Sequence, residues 1–578
     1  MRSNEFDPED LLMELNQKFA HVSIENSDDM DREVHFEELN ELKSDLEAVD
    51  YPTCYSAMKS IRKYLTQDIT AQRIQHVMDL YIEDKLCAFL GSDVPCDLQY
   101  EAAWTITNLA YGNAAQTEVL IHAGIVDKLL ECFQYTGDYR VMSQISWALA
   151  NVAIESPEYR ENLAQGQFIE SLAAALSSRC DSIYGRLTLD LQEEKNVARD
   201  GCITIQIKRD AADIRDLTWA LSNICRGGFK TVEHWKQYIA AFSAFSQCIN
   251  FENETIWTEA CWGLSRILSN MFNFEPFFES LVLNPGLCPR LVGLLRDKDM
   301  QHVLPVIQTI CNFSSGPNSY IEHILNADLL STIWWYTTPE IPYLLRRNSI
   351  LTISNVAAGH PLIVKKVVEN KYIMDNILKY LHVPGHVYSV NACRWETSVD
   401  AINNHSVEEW KITKEVLWVL SNITNLADDK TISEFLTTYK HVIQSLVRIL
   451  HYPMLNSSLC SMTTEVLTNI VDRTNNMLDL GENKTTTNPY IQEMLSEGIM
   501  PAISFLYHKC PGTDFMEKAN QFRSSIVLGS NGLQSPPEFA GADQFGFTLD
   551  KTNVRRIVQN YDDGDVRFIE SAMNSIIL

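Results

Sequence analysis

The chain has 578 residues, 46% of them hydrophobic, and a formal net charge of -28 at pH 7. That balance supports a large core, argues against nucleic acid or an anionic membrane as partner, and favours basic partners. The fourteen cysteines are scattered without a C-x-x-C pair. They read as small buried hydrophobes of a reduced compartment, and no signal peptide or membrane-length apolar run is recognised. A soluble protein of cytoplasm and nucleus is expected.

In chain order, residues 1–50 hold sixteen Asp/Glu against four Lys/Arg, with Leu11, Leu12 and Leu15 as one short amphipathic helix. An acidic, mobile arm is expected over 1–55. Helical spacing starts with Met58, Ile61, Tyr64 and Leu65, so a solenoid is expected over 56–510. Within it, Glu101-Ala-Ala-Trp104-Thr-Ile-Thr-Asn108 puts Trp104 and Asn108 on one helix face. The pair recurs as Trp147/Asn151, Trp219/Asn223 and Trp418/Asn422. Trp104 to Trp147 is 43 residues, as are Trp219 to Trp262 and Gln308 to Leu351; the last two start the weaker pairs Gln308/Asn312 and Leu351/Asn355. A 43-residue period with helical patterning marks a HEAT or armadillo array, each repeat a short helix and two longer ones. Glycines 124, 166 and 498 recur after the signature helices and are expected at helix ends, where the left-handed conformation suits glycine.

Two longer gaps imply inserts near 178–212 and 383–411. The first is charged and is expected as a surface loop, with Cys202-Ile-Thr-Ile-Gln-Ile207 as a stray strand. The second carries Trp395 and Trp410, out of register with the ladder. Pro305 is expected to disturb its helix. The tail, 511–578, is expected to be largely irregular.

These residues resemble importin-α, the armadillo adaptor family that binds nuclear localisation signals. The resemblance runs from about Ser56 to His508. It rests on Leu98-Gln-Tyr-Glu-Ala-Ala-Trp-Thr-Ile-Thr-Asn108, on Leu221-Ser-Asn-Ile-Cys-Arg226-Gly, and on Asn488-Pro-Tyr-Ile-Gln492 leading to Gly498 and Tyr507-His508. It implies an all-α armadillo-repeat solenoid of about ten repeats, wound as a right-handed superhelix. A basic peptide would lie along the inner face, Asn amides reading its backbone and neighbouring Trp rings forming slots for Lys and Arg stems.

Carried over by position, the major site comprises Trp104, Asn108, Gly112, Thr117, Gln144, Trp147, Asn151, Glu155, Trp219, Asn223 and Arg226, with Asp216 adding negative charge. A degenerate minor site comprises Trp262, Asn312, Asn355, Glu415, Trp418 and Asn422. There Leu351 stands for a Trp, Gln308 for an Arg and Arg266 for a Tyr, so weak binding of bipartite signals is expected. The family's importin-β-binding segment is basic, whereas residues 1–50 are acidic. This puts importin-β recruitment and autoinhibition in doubt.

A lone Trp/Asn pair is usually a core feature; four in register argue for a peptide groove. The expected partners are basic cargo proteins bearing localisation signals. The family's nuclear export receptor, which its final-repeat motif helps to bind, is a further candidate. No cofactor, metal constellation or enzyme motif stands out: His382 and His386 flank a Pro-Gly turn without a third ligand. The competing class is an armadillo scaffold that binds basic peptides without importin-β-dependent transport.

Overall fold

The structure is a computed structural model that describes residues 33–192, 200–227, 235–270, 275–297, 299–390, 394–397, 406–479 and 488–529. It divides into one unit over residues 4–313 and a second from 314 onward. Nearly every described element is a helix.

In the first unit the long helices are α1 (Tyr51–Gln67), α2 (Cys96–Leu109), α3 (Tyr139–Glu155), α4 (Phe168–Gln192), α5 (Asp200–Ile224), α6 (Trp235–Cys248), α7 (Glu254–Asn270) and α8 (Met300–Ser314). Of these, α1, α2, α3, α5 and α7 form a consecutive series in which each packs on the next, and α8 carries the further ladder pair Gln308/Asn312. Short-range chemistry sets their ends. Asp50 accepts from the Thr53 N–H at the start of α1, with Pro52 in its first turn. Asp138 does the same for Arg140 at the start of α3. Gly124 and Gly498 open their helices at φ 73° and 79°, as expected. Gly166 does not: its φ is -75°. Asp328 takes the left-handed turn at the corresponding place in Ala327-Asp-Leu, at φ 65°, a conformation Asp tolerates better than most side chains.

The second unit is built on α9 (Tyr343–Ala357), α10 (Ser406–Leu426), α11 (His441–Leu450), α12 (Ser457–Asp479), α13 (Ile499–Lys509) and α14 (Asp514–Gly529). Here α9, α10 and α12 form the consecutive series, and α14 lies against α12.

Several expectations change. The segment expected to be an irregular loop with a strand is helical where described. Cys202–Ile207 lies inside α5, and residues 193–199 fall outside the described residues. The period-two run of β-branched residues is overridden by a helical stripe further on. Asp210, Ile214, Leu217 and Leu221 all bury completely. The acidic start is anchored earlier than expected: Val34, Leu39 and Leu46 are buried, and the Leu39–Asp45 helix packs on α1. The helix expected around Leu11–Leu15 lies outside the described residues.

At the other end, α14 extends the array past 510, burying Phe515, Ala519, Phe522 and Ile526 at helical spacing. Pro305 sits inside α8 without breaking it. Having no N–H, it removes one backbone bond only. The second insert holds a two-stranded antiparallel hairpin, β1 (His386–Ser389) with β2 (Arg394–Thr397). Of the twelve cysteines whose side chains are described, all but Cys87 and Cys96 are buried.

Candidate peptide-binding site

Three ladder asparagines share a structural task. Asn151 Nδ2 donates to the carbonyl of Thr107 at 3.2 Å. Asn312 Nδ2 donates to that of Ser265 at 2.9 Å, and Asn422 Nδ2 to that of Ser354 at 3.0 Å. In every case the acceptor is the residue just before the ladder position of the preceding signature helix. A second bond runs alongside. Thr107 Oγ1 donates to Gln144 O at 3.0 Å, and Thr309 Oγ1 to Cys261 O at 2.7 Å. At these positions consecutive signature helices are stapled together by side chains that reach a backbone carbonyl of the neighbouring helix.

One such bond leaves half of each amide for other partners. Asn108 and Asn151 are buried, at 1% and 0% exposure. Asn108 Nδ2 and Asn151 Oδ1 nevertheless have no hydrogen-bond partner among the described residues. The same holds for Gln144 Oε1 and Thr117 Oγ1. An unsatisfied buried polar atom costs about 1–3 kcal/mol unless water or a ligand meets it; such atoms occur elsewhere in the chain too, and these four are the ones at positions of the expected major site. Asn223 differs: its Nδ2 donates to Trp219 O at 3.0 Å and its Oδ1 accepts from Arg226 Nη2 at 3.1 Å.

The tryptophans are closer-held than open slots would require. Trp104, Trp147 and Trp219 are buried. The guanidinium of Arg62, from α1, lies 4.0 Å from the centre of the Trp104 ring. Its Nε donates to Glu101 Oε2 at 2.7 Å, and both side chains are almost fully buried. Cation–π attraction and ion pairing together hold that charge away from water. Trp147 and Trp219 touch, with ring centres 4.8 Å apart and planes inclined at 36°. That spacing is direct aromatic contact and leaves no gap for an aliphatic stem.

Around these rings, Arg215 donates to Asp216 at 2.9 Å. Gly112 is buried, while Glu155 is part-exposed at the end of α3. Helices α4 and α5 are clamped by Arg179, whose Nη2 lies 2.8 Å from Asp210 and which also bonds Asp213. Burial pushes the Asp213 carboxyl up to about 6, against the opposing pull of Arg179.

Residues assigned to the minor site are found in both units. In the first, Arg266 is buried with its guanidinium 6.0 Å from the Trp262 ring, and its Nη1 bonds Ser222 Oγ. Ser222 is again the residue before a ladder asparagine, so Arg266 replaces the staple of an Asn. Gln308 Nε2 lies 3.4 Å from Asn312 Oδ1. In the second unit, Glu415 faces Arg347 at 3.8 Å, and Arg346 pairs with Glu409 at 2.5 Å. The carboxylate expected to hold a ligand's ammonium group therefore already has a cation beside it. Asn355 and Trp418 stand on α9 and α10 as expected.

The sequence pattern missed one rung. Asn469 on α12 donates to Thr424 Oγ1 at 3.3 Å. It lies 47 residues after Asn422, in Glu465-Val-Leu-Thr-Asn469, where Glu465 stands in place of Trp. The spacing and the Asn-Ile that follows were the available signal.

No protein-family model matches the chain. It is 28% identical over 257 residues to rice importin subunit alpha-1b (44% of this chain, 41% of that one). It is 27% identical over 296 residues to rice importin subunit alpha-1a (51% and 49%). It is 32% identical over 224 residues to importin subunit alpha-2 of Arabidopsis thaliana (39% and 35%). The chain thus spans about half or less of the length of these relatives. Among solved structures, an engineered protein superposes with a TM-score of 0.63 at 18% identity, over 85% of this chain and all of the other. The all-α repeat fold stands on the helices described above and on this superposition, and the resemblance to importin-α on the three relatives.

Proposed function

We propose that this divergent relative of the importin-α subunits is an adaptor that binds lysine- and arginine-rich peptides along its Trp/Asn ladder, with nuclear localisation signals as the ligand class. The observation that carries the proposal is the set of buried, unpartnered polar atoms on Asn108, Asn151, Gln144 and Thr117. An extended peptide supplies alternating N–H and C=O groups at its backbone, which suit an amide donor on one helix and an amide acceptor on the next. The net charge of -28 favours a cationic ligand. Glu155 is the carboxylate offered to its charge, since Asp216, like Glu415, already has an arginine beside it.

The geometry shapes the specificity. Trp104 already carries Arg62 on one face, and Trp147 and Trp219 close on each other. Backbone reading and one anchored lysine therefore weigh more than a row of aromatic slots. The second unit contributes little to affinity, because Arg347 stands beside Glu415 and Leu351 offers no ring. Exchange between cytoplasm and nucleus, with basic cargo, an export receptor and no enzymatic step, belongs to this reading.

The alternative is a scaffold that binds the same peptides without import. It is favoured by the acidic character of residues 1–50, which hold no basic cluster for importin-β. Co-precipitation of the full chain with purified importin-β, with and without a lysine-rich peptide, separates the two. Capture supports the import adaptor. Peptide binding without capture at micromolar importin-β assigns the scaffold, and neither interaction removes both.

A further inference from the structure

Away from the ladder, three potential ligands converge on the first unit's edge. Glu254 is the first residue of α7, Asp297 lies just before α8, and His302 stands in the first turn of α8. Their donor atoms lie within 4.8 Å of one another. His302 Nδ1 is 3.7 Å from Glu254 Oε2 and 3.7 Å from Asp297 Oδ1. These separations are too long for hydrogen bonds. They are close to the roughly 3.4 Å expected between two donors that each sit about 2.1 Å from a shared tetrahedral ion.

Two further observations set this group apart from an ordinary acidic helix start. His302 Nδ1 is buried at the atom and has no hydrogen-bond partner among the described residues, although it faces two carboxylates. The ring is also held in place. Trp257, itself buried, packs edge-on at 5.6 Å. Asp297 is held too, because its Oδ1 accepts the Asp299 N–H at 2.8 Å. The side chains of Glu254 and His302 are 62% and 26% exposed, so water reaches the group, while the Nδ1 atom itself is turned inward to two anionic neighbours as a metal ligand would be.

We propose that Glu254, Asp297 and His302 bind one divalent transition ion of the zinc class, with water completing the coordination. One nitrogen and two carboxylate oxygens are a borderline donor set, which suits Zn2+ better than Ca2+ or Cu+. The ligands come from the starts of two consecutive ladder-bearing helices, Glu254 and His302 being 48 residues apart. The ion therefore clips one repeat to the next and adds its binding energy to the folded state. This site does not depend on peptide binding along the ladder.

The test is a titration of the full chain, stripped of metal by chelator, with Co2+ followed by its visible absorption. One equivalent should bind with a nitrogen/oxygen spectrum and be displaced by one equivalent of Zn2+. Glu254→Gln and His302→Gln should each weaken binding about tenfold or more. Zinc should raise the unfolding temperature of the parent and leave that of His302→Gln unchanged, while circular dichroism confirms that both variants are folded. A thiolate-to-cobalt charge-transfer band would place the ion on cysteines and overturn the proposal. Undiminished affinity in the two variants, or no absorption in the parent, would overturn it equally.

Discussion

At the scale of single residues, the chain uses charges inside its core where its helices meet. Arg62 and Glu101 pair beneath Trp104 with almost no solvent contact. Removing one partner leaves the other buried and uncompensated, so Glu101→Ala should cost about 3 kcal/mol in urea unfolding. Glu101→Gln, which keeps a hydrogen-bond acceptor, should cost less. Asp213 makes a pH prediction. Two carboxylates, Asp210 and Asp213, share the Arg179 guanidinium, with Asp216 nearby. The folded pKa of Asp213, about 6, lies above the unfolded value of about 3.9. Between these values the folded state binds more protons, so the Asp213 contribution to stability is lost as pH rises from about 4 to about 6. Unfolding midpoints over that range should fall less steeply in Asp213→Asn than in the parent; equal slopes would refute the assignment.

At the scale of elements, the Trp/Asn rungs were legible because identical residue types recur at one spacing. The staples they form were not, since they depend on which carbonyl of the preceding helix comes within reach. The packing between rungs was equally hidden. Nothing local to Trp104 indicates that Arg62, 42 residues earlier, covers it. Local pattern misled in two places. Alternating isoleucines at 203, 205 and 207 read as strand, but the buried stripe from Asp210 to Leu221 makes that helix continuous. The tail, 511–578, read as largely irregular, although Phe515, Ala519, Phe522 and Ile526 carry helical spacing within Asp514–Gly529.

The hairpin of the second insert is an element with its own test. Trp395 Nε1 donates to Arg448 O at 2.7 Å, and Tyr388 lies against Trp395 while the Arg448 guanidinium sits 4.8 Å from its ring. Trp410 packs on Tyr452. The two tryptophans that had no place in the ladder therefore dock the insert onto the repeat around α11. Trp395→Ala should remove about 2 kcal/mol and speed tryptic cleavage at the exposed Arg394. Unchanged cleavage would mean that other contacts hold the hairpin.

At the scale of the whole molecule, charge and repetition point the same way. A net charge of -28 should steer cationic peptides to the protein, and salt should weaken the attraction. Association rates for a lysine-rich peptide should fall several-fold between about 50 and 300 mM salt, with dissociation rates changing less. Salt-independent association would show that the acidity serves solubility alone. The central claim is that the ladder holds a basic peptide by its backbone and one anchored lysine. A fluorescence-anisotropy titration with a lysine-rich peptide tests it most directly, run beside the peptide with its central lysine changed to Ala and beside Asn108→Ala/Asn151→Ala protein. Saturable binding by the parent, lost in both controls, is the predicted result. Binding that survives the loss of both asparagines, or none by the parent chain, would contradict the account.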